Sequence, residues 1–553
     1  MVQLRPWQVE AHDKAVNWLV EAGEDRHFLI NAAPGSGKTM VSCAIADTLL
    51  RLGMIDRAVV IAPRTEVVNQ WARDFALVTG RHMSKVTGQD LDLRSMRLDV
   101  CATWAAVSAL EDAFQALCES ARVLVICDEH HHAAVAAAWG ETADSAFANA
   151  AYVLVLTGTP VRSDGAKAIW LPYNDLGSIE KPEAGSYTLT YGEAVDLGYC
   201  RPVTFHRHEG RFQVKLKDDL LLEVSNRTGA ILPEEHAANR ALQRSLDFFK
   251  LAGTPQYDEQ GRPRLDGYQS SMMEWASQKL DDLRYLMSRA GGLVIAPSIE
   301  MAHYFADLIE LQEGERPVLV HSQMQNAEAR INAFRKTDAR WIVSVAMISE
   351  GVDIPRLRVL VYLPSALTEL AFRQAVGRVV RSAGPEDDTR AYVVMPAFGM
   401  LDEFARRVED EMPESLRADT AVTTKRCPIC RTACSRGDQE CGACGHAFAV
   451  RVRNFLSCGA CGMKNTTGAH DCQRCGSSFR HDFTLTLQEA LRDGAITRGV
   501  DLSEEDLRYA ETNARQVRDL VKRSGDASLI RVMRSVPDEC LGRLRSILNE
   551  AGL

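Results

Sequence analysis

The stretch Ala32-Ala33-Pro34-Gly35-Ser36-Gly37-Lys38-Thr39 decides the fold that the sequence predicts. A short apolar run, Phe28-Leu29-Ile30, precedes it, and residues 40–46 follow it with apolar side chains at helical spacing. A strand, a glycine-bearing loop and a helix in this order indicate a phosphate-binding loop, because loop N–H groups and the positive end of the helix dipole then face one anion. Lys38 is expected to reach the β- and γ-phosphates of ATP, and the Thr39 hydroxyl is expected to ligate Mg²⁺.

One position departs from the usual phosphate-loop pattern, because Ala32 stands where the first glycine is expected. An ordinary glycine-rich turn between a strand and a helix is the alternative interpretation. The sequence Gly37-Lys38-Thr39 at the start of the helix favours the phosphate-binding loop over that turn.

Length and composition indicate a multidomain globular protein. The 553 residues are enough for roughly three or four domains with separate cores. The apolar fraction of 46% and the charged fraction of 25% are ordinary for soluble proteins. The first residues show no basic segment followed by an apolar core, and no apolar run reaches the roughly 20 residues that cross a bilayer. We therefore expect a cytoplasmic protein that contacts no membrane.

Further apolar runs predict the strands of a parallel sheet around the loop. They cover residues 58–62, 100–103, 123–127 and 152–156, and they alternate with helical stretches. This alternation is typical of βαβ units, and their sheets bind ligands at the carboxyl ends of the strands.

Two adjacent carboxylates, Asp128 and Glu129, follow the strand at residues 123–127. At the end of that strand they would face the phosphate loop. Asp128 is expected to bind Mg²⁺ directly or through water, and Glu129 is expected to orient and deprotonate the attacking water. The alternatives are an acidic pair without a catalytic role and a metal site at the histidines 130–132. Successive histidines point in different directions, so the hydrolytic interpretation is favoured.

Residues 35–39, 128–131 and 157–160 resemble motifs I, II and III of superfamily 2 helicases of the DExH type. A second set follows, in which residues 346–355 are similar to motif V and residues 374–381 to motif VI. The resemblance covers roughly residues 1–400. It implies two tandem RecA-like domains with parallel sheets, and ATP hydrolysis in the cleft between them.

The resemblance also implies roles for single residues. Arg378 and Arg381 would be arginine fingers from the second domain, each worth about 10³ or more in rate, and Gln374 would position the attacking water. The implied catalytic residues are Lys38, Asp128, Glu129, Gln374, Arg378 and Arg381, and the implied nucleotide-binding residues are Arg5, Gln8, Pro34, Gly35, Ser36, Gly37, Lys38, Thr39, Asp128, Gly351 and Asp353.

Arg5 and Gln8 would read the adenine, and Asp353 would link the nucleotide to the nucleic acid. The implied nucleic-acid contacts are Arg64, Thr65, Thr103, Thr157 and Thr159, of which Thr157 and Thr159 would couple nucleic-acid binding to hydrolysis. For Arg64 an ordinary surface ion pair remains an alternative.

Nine of the 15 cysteines fall in the range from Cys427 to Cys475, and eight of them form four Cys-x₂-Cys pairs. The predicted zinc ligands are Cys427, Cys430, Cys441, Cys444, Cys458, Cys461, Cys472 and Cys475. The first four recur 31 positions later, which indicates a duplicated Cys₄ zinc ribbon. Modules of this size fold on the free energy of metal binding, so two Zn²⁺ ions are expected. An iron–sulfur cluster is the alternative, and Cys434 is left over.

Charge is distributed unevenly along the chain. The net charge is -10, but residues 423–481 hold nine basic and three acidic side chains. This local excess supports nucleic-acid contact by the ribbons. Docking of the ribbons on another protein remains a nearly equal alternative.

These observations predict five segments. They are a RecA-like ATP-binding domain at 1–205, a mainly helical insertion at 206–287, a second RecA-like domain at 288–422, tandem zinc ribbons at 423–481 and a helical tail at 482–553. A helicase core followed by ribbons resembles bacterial RadD-type repair helicases, and more loosely the motors of restriction and phage-defence systems.

The resemblance implies an ATP-dependent DNA translocase or helicase in repair, recombination or phage defence. An RNA helicase is one alternative. The other is an ATP-dependent switch or scaffold that recruits a protein partner through the ribbons or the tail without unwinding nucleic acid.

Overall fold

The computed structural model describes two α/β lobes and parts of the C-terminal region. The described residues are 3–23, 25–63, 65–87, 99–128, 137–158, 170, 183–215, 221–225, 229–230, 248–321, 323–345, 354–365, 367–382, 384, 387, 389–417, 424–427, 429–430, 432–435, 438, 440–447, 455–457, 463–466, 474–475, 482–486 and 523.

The first lobe is built on a seven-stranded sheet whose neighbouring strands all run parallel. Its strands are β1 (His27–Ala32), β2 (Arg57–Ala62), β3 (Met83–Val86), β4 (Asp99–Thr103), β5 (Val123–Cys127), β6 (Tyr152–Thr157) and β7 (Ser186–Leu189), in the order β3-β4-β2-β5-β6-β1-β7. Its helices are α1 (Pro6–Val16), α2 (Lys38–Arg51), α3 (Thr65–Thr79), α4 (Trp104–Ala109), α5 (Glu111–Ser120), α6 (Ala137–Ala146) and α7 (Tyr191–Asp196).

Helices cover both faces of this sheet. In β2, Val60 belongs to the apolar cluster that includes α1, α2 and α3, whereas Val59 and Ile61 belong to the cluster that includes α4, α5 and α6. A strand that is buried on both faces needs apolar residues at successive positions, which is why these strands are continuous apolar runs in the sequence.

The second lobe is built on a six-stranded parallel sheet. Its strands are β8 (Val203–His208), β12 (Gly291–Ile295), β13 (Val318–Val320), β14 (Trp341–Ser344), β15 (Leu357–Tyr362) and β16 (Ala391–Pro396), in the order β13-β14-β12-β15-β16-β8. Its helices are α8 (Phe248–Ala252), α9 (Tyr268–Leu286), α10 (Ile299–Glu313), α11 (Ala327–Lys336), α12 (Glu369–Val379), α13 (Gly399–Glu411) and α14 (Glu414–Arg417). The prediction of two tandem parallel-sheet lobes is confirmed.

Smaller strands complete the fold. They are β9 (Arg211–Lys215), β10 (Leu221–Ser225), β11 (Gly229–Ala230), β17 (Thr424–Arg426), β18 (Ala433–Ser435), β19 (Phe455–Ser457), β20 (Lys464–Thr466) and β21 (Asp482–Thr486). Four of them form a sheet in the order β11-β10-β9-β21, and two hairpins pair β17 with β18 and β19 with β20. No helix among the described residues is long and apolar enough to cross a membrane.

The structure differs from the prediction at the start of the proposed insertion. Residues 203–208 form β8, which pairs in parallel with β16 and so belongs to the second sheet. The predicted boundary at residue 206 therefore cuts a strand. The segment that follows contains β9, β10 and β11 before its helices, so it is not mainly helical throughout. These strands have only two to five residues each, which is too short for a clear periodicity.

The structure also differs at the start of the predicted helical tail. Residues 482–486 form β21, which pairs in parallel with β9 about 270 residues earlier in the chain. Phe483 and Leu485 alternate with polar residues, and both are buried in the core of the second lobe. Apart from residue 523, the remainder of the predicted tail lies outside the described residues.

Two buried arginines share one carboxylate where the lobes are joined. Arg201 Nη2 donates to Asp387 Oδ2 at 2.5 Å, and Arg358 Nη2 donates to the same oxygen at 2.9 Å. Burial lowers the pKa of Arg358 to about 9, because the guanidinium has left water. Arg201 also donates to the carbonyls of Leu357 and Val379, so it holds the segment that joins the two lobes against β15 and α12.

Asp387→Ala should destabilise the second lobe, because it leaves two buried guanidinium groups without their carboxylate. We expect the free energy of unfolding in urea to fall by about 3–5 kcal/mol. Asp307→Ala is the matched control, since Asp307 pairs with Arg316 on the surface, where both side chains are about half exposed. Equal losses for the two variants would contradict the structural role of Asp387.

Candidate active site and metal centre

The loop between β1 and α2 has the geometry of an anion cradle. Gly35 has φ +83° and Gly37 has φ +105°, and this left-handed region favours glycine because a Cβ would be strained there. Helix α2 begins at Lys38 and runs for 14 residues, so the positive end of its dipole faces the loop. Lys38 Nζ donates to the carbonyl of Ala32 at 2.8 Å, which holds the ammonium beside the loop.

The start of α1 is bonded to this loop. Arg5 Nη1 donates to the carbonyl of Ser36 at 3.0 Å, and Gln8 Nε2 donates to the carbonyl of Gly37 at 3.0 Å. Gln8 Oε1 accepts from the backbone N–H of Arg5 at 2.8 Å. Both residues thus stabilise the loop conformation through its backbone, and their contact with adenine stays a prediction.

Asp128 follows β5 and is buried beside the loop. Its Oδ2 accepts a hydrogen bond from Trp71 Nε1 on α3 at 2.6 Å. The Asp128 carboxylate and the Thr39 hydroxyl line the same cavity, and both are oxygen donors of the kind that Mg²⁺ prefers. The residues present therefore fit a Mg²⁺–nucleotide.

One cavity of about 310 Å³ brings residues of both lobes together. From the first lobe it is lined by Pro34, Gly35, Gly37, Lys38, Thr39, Val67, Gln70, Trp71, Asp74, Asp128 and Gly158, and from the second by Gln374, Arg378 and Arg381. Gln374 and Arg378 lie four residues apart on one face of α12, and Arg381 follows two residues after the end of that helix. The structure thus places most of the expected nucleotide residues around one space.

Direct contacts hold the lobes in this arrangement. The backbones of Cys200 and Arg381 form an antiparallel bridge, and the N–H of Arg201 donates to the carbonyl of Val380 at 2.7 Å. Gly35 lies against the Arg381 side chain, and Gly377 lies against Pro34, so a Cβ at either glycine would collide. In this arrangement the arginines of the second lobe reach the phosphate loop.

The structure describes three of the expected nucleic-acid contacts. Thr65 is exposed at the first residue of α3. Thr103 is buried, and its hydroxyl accepts from the N–H of Ala106 at 3.3 Å, so it caps α4. Thr157 is buried at the end of β6. Nucleic-acid contact by these residues stays a prediction.

Several expected site residues lie outside the described residues. They are Glu129, Gly351 and Asp353 of the nucleotide site, Arg64 and Thr159 of the nucleic-acid set, and Cys458, Cys461 and Cys472 of the second ribbon.

Sequence reasoning missed the contribution of α3 to the cavity. Val67, Gln70, Trp71 and Asp74 line it, and they recur at positions i, i+3, i+4 and i+7 of the helix. That spacing indicates one face of a helix, but it does not say what the face contacts.

Four of the expected zinc ligands converge in the first ribbon. The Sγ atoms of Cys427, Cys430, Cys441 and Cys444 all lie within 4.8 Å of one another. The Cys427–Cys444 and Cys430–Cys441 sulfur distances are 3.5 and 3.6 Å. A tetrahedral Zn²⁺ with Zn–S bonds of about 2.3 Å needs sulfurs about 3.8 Å apart, so this set fits zinc.

The backbone around Cys441 favours its thiolate form. Backbone N–H groups of Cys444 and Ala443 lower the pKa of Cys441. Cys434 Sγ lies 3.7 Å from Cys441 Sγ but outside the set of four. Cys475 of the second ribbon is exposed, and the structure describes none of its three expected co-ligands.

Comparisons with known proteins agree with this arrangement. Residues 1–162 match the family model for the type III restriction enzyme res subunit, and residues 278–383 match the helicase conserved C-terminal domain. An uncharacterized protein of Mycobacterium tuberculosis is 32% identical over 453 residues, which cover 79% of this chain and 69% of that protein. The DNA 3′-5′ translocase XPB2 of Sulfurisphaera tokodaii is 22% identical over 396 residues, or 70% of this chain and 80% of that protein.

A solved structure shares the fold. It is a fragment assigned to the HsdR subunit of a type I restriction enzyme from Vibrio vulnificus, with 17% identity and a TM-score of 0.50, covering 74% of this chain and 67% of that one. The matched residues span 64% to 69% of the lengths of the mycobacterial relatives.

The chain has two parallel-sheet lobes that share one nucleotide cavity, and it matches two helicase-type family models. It is therefore a member of the superfamily 2 helicases and translocases. Within that superfamily it belongs to the same family as the Mycobacterium tuberculosis protein.

Gly377→Ala should impair closure of the lobes, because a Cβ at this position would lie 2.6 Å from Pro34 Cβ. Displacement of the arginines by about 1 Å should lower kcat for ATP by about 10²-fold, with little change in nucleotide affinity. Gly399→Ala is the control, since a Cβ there meets nothing within 4 Å. An unchanged kcat in steady-state ATPase measurements would contradict the importance of this contact.

Cys441→Ser should release the metal of the first ribbon, because the thiolate is one of four ligands. We expect the zinc content of the purified protein, measured by mass spectrometry of metals, to fall from about two ions to about one per chain. Cys118→Ser replaces a buried cysteine of the first lobe and should leave the zinc content unchanged. A full zinc content in Cys441→Ser would exclude Cys441 as a ligand.

Proposed function

We propose that this chain hydrolyses ATP between its lobes and uses the resulting opening and closing to move along DNA as a translocase or helicase. The observation that carries the proposal is the single cavity lined by Lys38, Thr39 and Asp128 from one lobe and by Arg378 and Arg381 from the other. A site divided in this way links the chemistry of ATP to the relative position of the two lobes.

Each part of the cavity has a distinct task in hydrolysis. Loop N–H groups, the start of α2 and Lys38 bind the phosphates. Thr39 and Asp128 would hold Mg²⁺, which would supply charge neutralisation at the phosphates. Arg378 and Arg381 stabilise the charge that develops on the γ-phosphate, and because they belong to the second lobe they act only after closure. Gln374 and Glu129 would position and deprotonate the attacking water.

Movement along a nucleic-acid strand requires a binding site for the phosphate backbone on each lobe. Thr65 is exposed at the start of α3, where a helix N-terminus suits a backbone phosphate. When the lobes close and open, the distance between these two binding sites shortens and lengthens, so the protein advances along the nucleic-acid backbone. Contacts with phosphates make such movement insensitive to base sequence and sensitive to salt.

DNA is favoured over RNA as the nucleic acid along which the protein moves. Support comes from the relative named as a DNA 3′-5′ translocase and from the family model of a restriction-enzyme subunit. A role in DNA repair, recombination or phage defence is part of the proposal. The basic ribbons would add nucleic-acid contacts beside the motor.

A switch or scaffold is the second candidate. Ile429, at the turn of the first cysteine pair, is 70% exposed, and an exposed apolar side chain on a small metal-bound module suits docking on a protein. In that case hydrolysis would reset a complex without displacing a strand.

ATPase assays with DNA, RNA or no nucleic acid, combined with strand- and triplex-displacement assays, distinguish these candidates. We expect DNA to stimulate hydrolysis more than RNA does and to support displacement. Lys38→Ala should abolish both activities by removing the phosphate-binding ammonium, whereas Lys336→Ala removes an exposed charge of the second lobe and should retain the basal ATPase. Stimulation without any displacement would favour the switch, and stronger stimulation by RNA would identify an RNA motor.

A further inference from the structure

Trp71 makes a direct contact with the Mg²⁺-binding side of the cavity. It lies on α3, it is 1% exposed, and its indole N–H donates to Asp128 Oδ2 at 2.6 Å. A hydrogen bond to a carboxylate is stronger than one between neutral groups, and burial strengthens it further because water does not compete. Trp71 and Asp128 both line the cavity that the lobes share.

A bland explanation is that any buried tryptophan needs an acceptor for its N–H. Burial alone does not select a carboxylate as the acceptor. Trp18 of the first lobe donates to the carbonyl of His27 at 3.1 Å, whereas Trp7 and Trp104 have no partner for Nε1 among the described residues. Of these four buried indoles, the one of Trp71 is bonded to a carboxylate of the nucleotide cavity, so this pairing is a feature of the cavity.

The geometry also determines what the bond does. A carboxylate has two oxygens and turns about its χ2 angle over a broad range. The bond to Trp71 engages Oδ2 and thereby holds the plane of the group in one orientation. A ligand carboxylate whose orientation is held in advance binds a metal more tightly, because less freedom is lost on binding.

We propose that Trp71 is a positioning residue for the Mg²⁺–nucleotide, and that it acts by orienting the Asp128 carboxylate. The inference rests on the proposed function, since it assumes that Asp128 serves a bound Mg²⁺–nucleotide. Trp71 would act through Asp128, because an indole N–H only donates and is not a metal ligand.

Trp71→Phe tests the inference, because it keeps an aromatic ring and removes the donor. The main readout is the affinity of the ADP-loaded protein for Mn²⁺, measured by electron paramagnetic resonance, which does not depend on turnover. Loss of a partner that orients a metal ligand costs about 10–100-fold in metal affinity, and we expect a loss in this range. ADP affinity without a divalent ion should not change.

Trp104→Phe is the matched control, since it makes the same change in the same lobe at an indole without an acceptor. It should leave the Mn²⁺ affinity at the wild-type value. In the Asp128→Asn background, Trp71→Phe should cause no further loss of Mn²⁺ affinity, because the carboxylate that it orients is already gone. Equal Mn²⁺ affinities for Trp71→Phe and Trp104→Phe would overturn the inference.

Two further measurements distinguish loss of folding from loss of metal affinity, and the role of Trp71 from the proposed function. If Trp71→Phe does not fold, as judged by circular dichroism, benzothienylalanine at position 71 replaces the N–H with sulfur in a ring of nearly the same shape. The Mn²⁺ prediction then applies to that variant. Wild-type protein without any ATPase would refute the proposed function, whereas an active wild type whose Mn²⁺ affinity is unaffected by loss of the indole N–H would refute the role of Trp71 alone.

Discussion

The close contact between helix α12 of the second lobe and the phosphate loop of the first is the constraint on which the rest of the structure depends. Gly35 and Gly377 lack a Cβ at two places where this loop and α12 approach closely. Each glycine leaves room for a side chain of the other lobe, and Arg378 and Arg381 line the same cavity as Lys38. The cavity is therefore lined by residues of both lobes, and the proposed coupling between hydrolysis and lobe movement rests on this division.

The segment around Arg201, which joins the two lobes, is held in place by a buried ion pair with Asp387. Arg201 is bonded to Asp387 and to two carbonyls of the second lobe, and the adjoining Cys200 bridges Arg381. A buried ion pair contributes little net stability, since desolvation offsets most of the attraction, but removal of one partner is very unfavourable. The arrangement therefore acts mainly to specify where the end of α12 lies.

The cysteine-rich region is not a simple appendage. The chain leaves the second lobe after α14, forms the ribbon hairpins, and then returns as β21 to pair with β9. Phe483 and Leu485 are buried in the same apolar cluster as the strands of the second sheet. Burial of apolar area anchors the far end of the ribbons, while four converging thiols provide the metal site that such small modules need in order to fold.

The sequence by itself determined the two-lobed fold, the phosphate loop and the cysteine cluster, because each depends on residues that are close together in the chain. Apolar runs such as residues 123–127 mark strands buried on both faces, and Gly-Lys-Thr and Cys-x₂-Cys carry their chemistry within a few positions. Only the tertiary structure decided that β8 joins the second sheet, that β21 pairs with β9, and that Trp71 bonds to Asp128. The physical reason is that these pairings join residues between 57 and about 270 positions apart, and no local pattern specifies the partner of a strand edge or of an indole N–H.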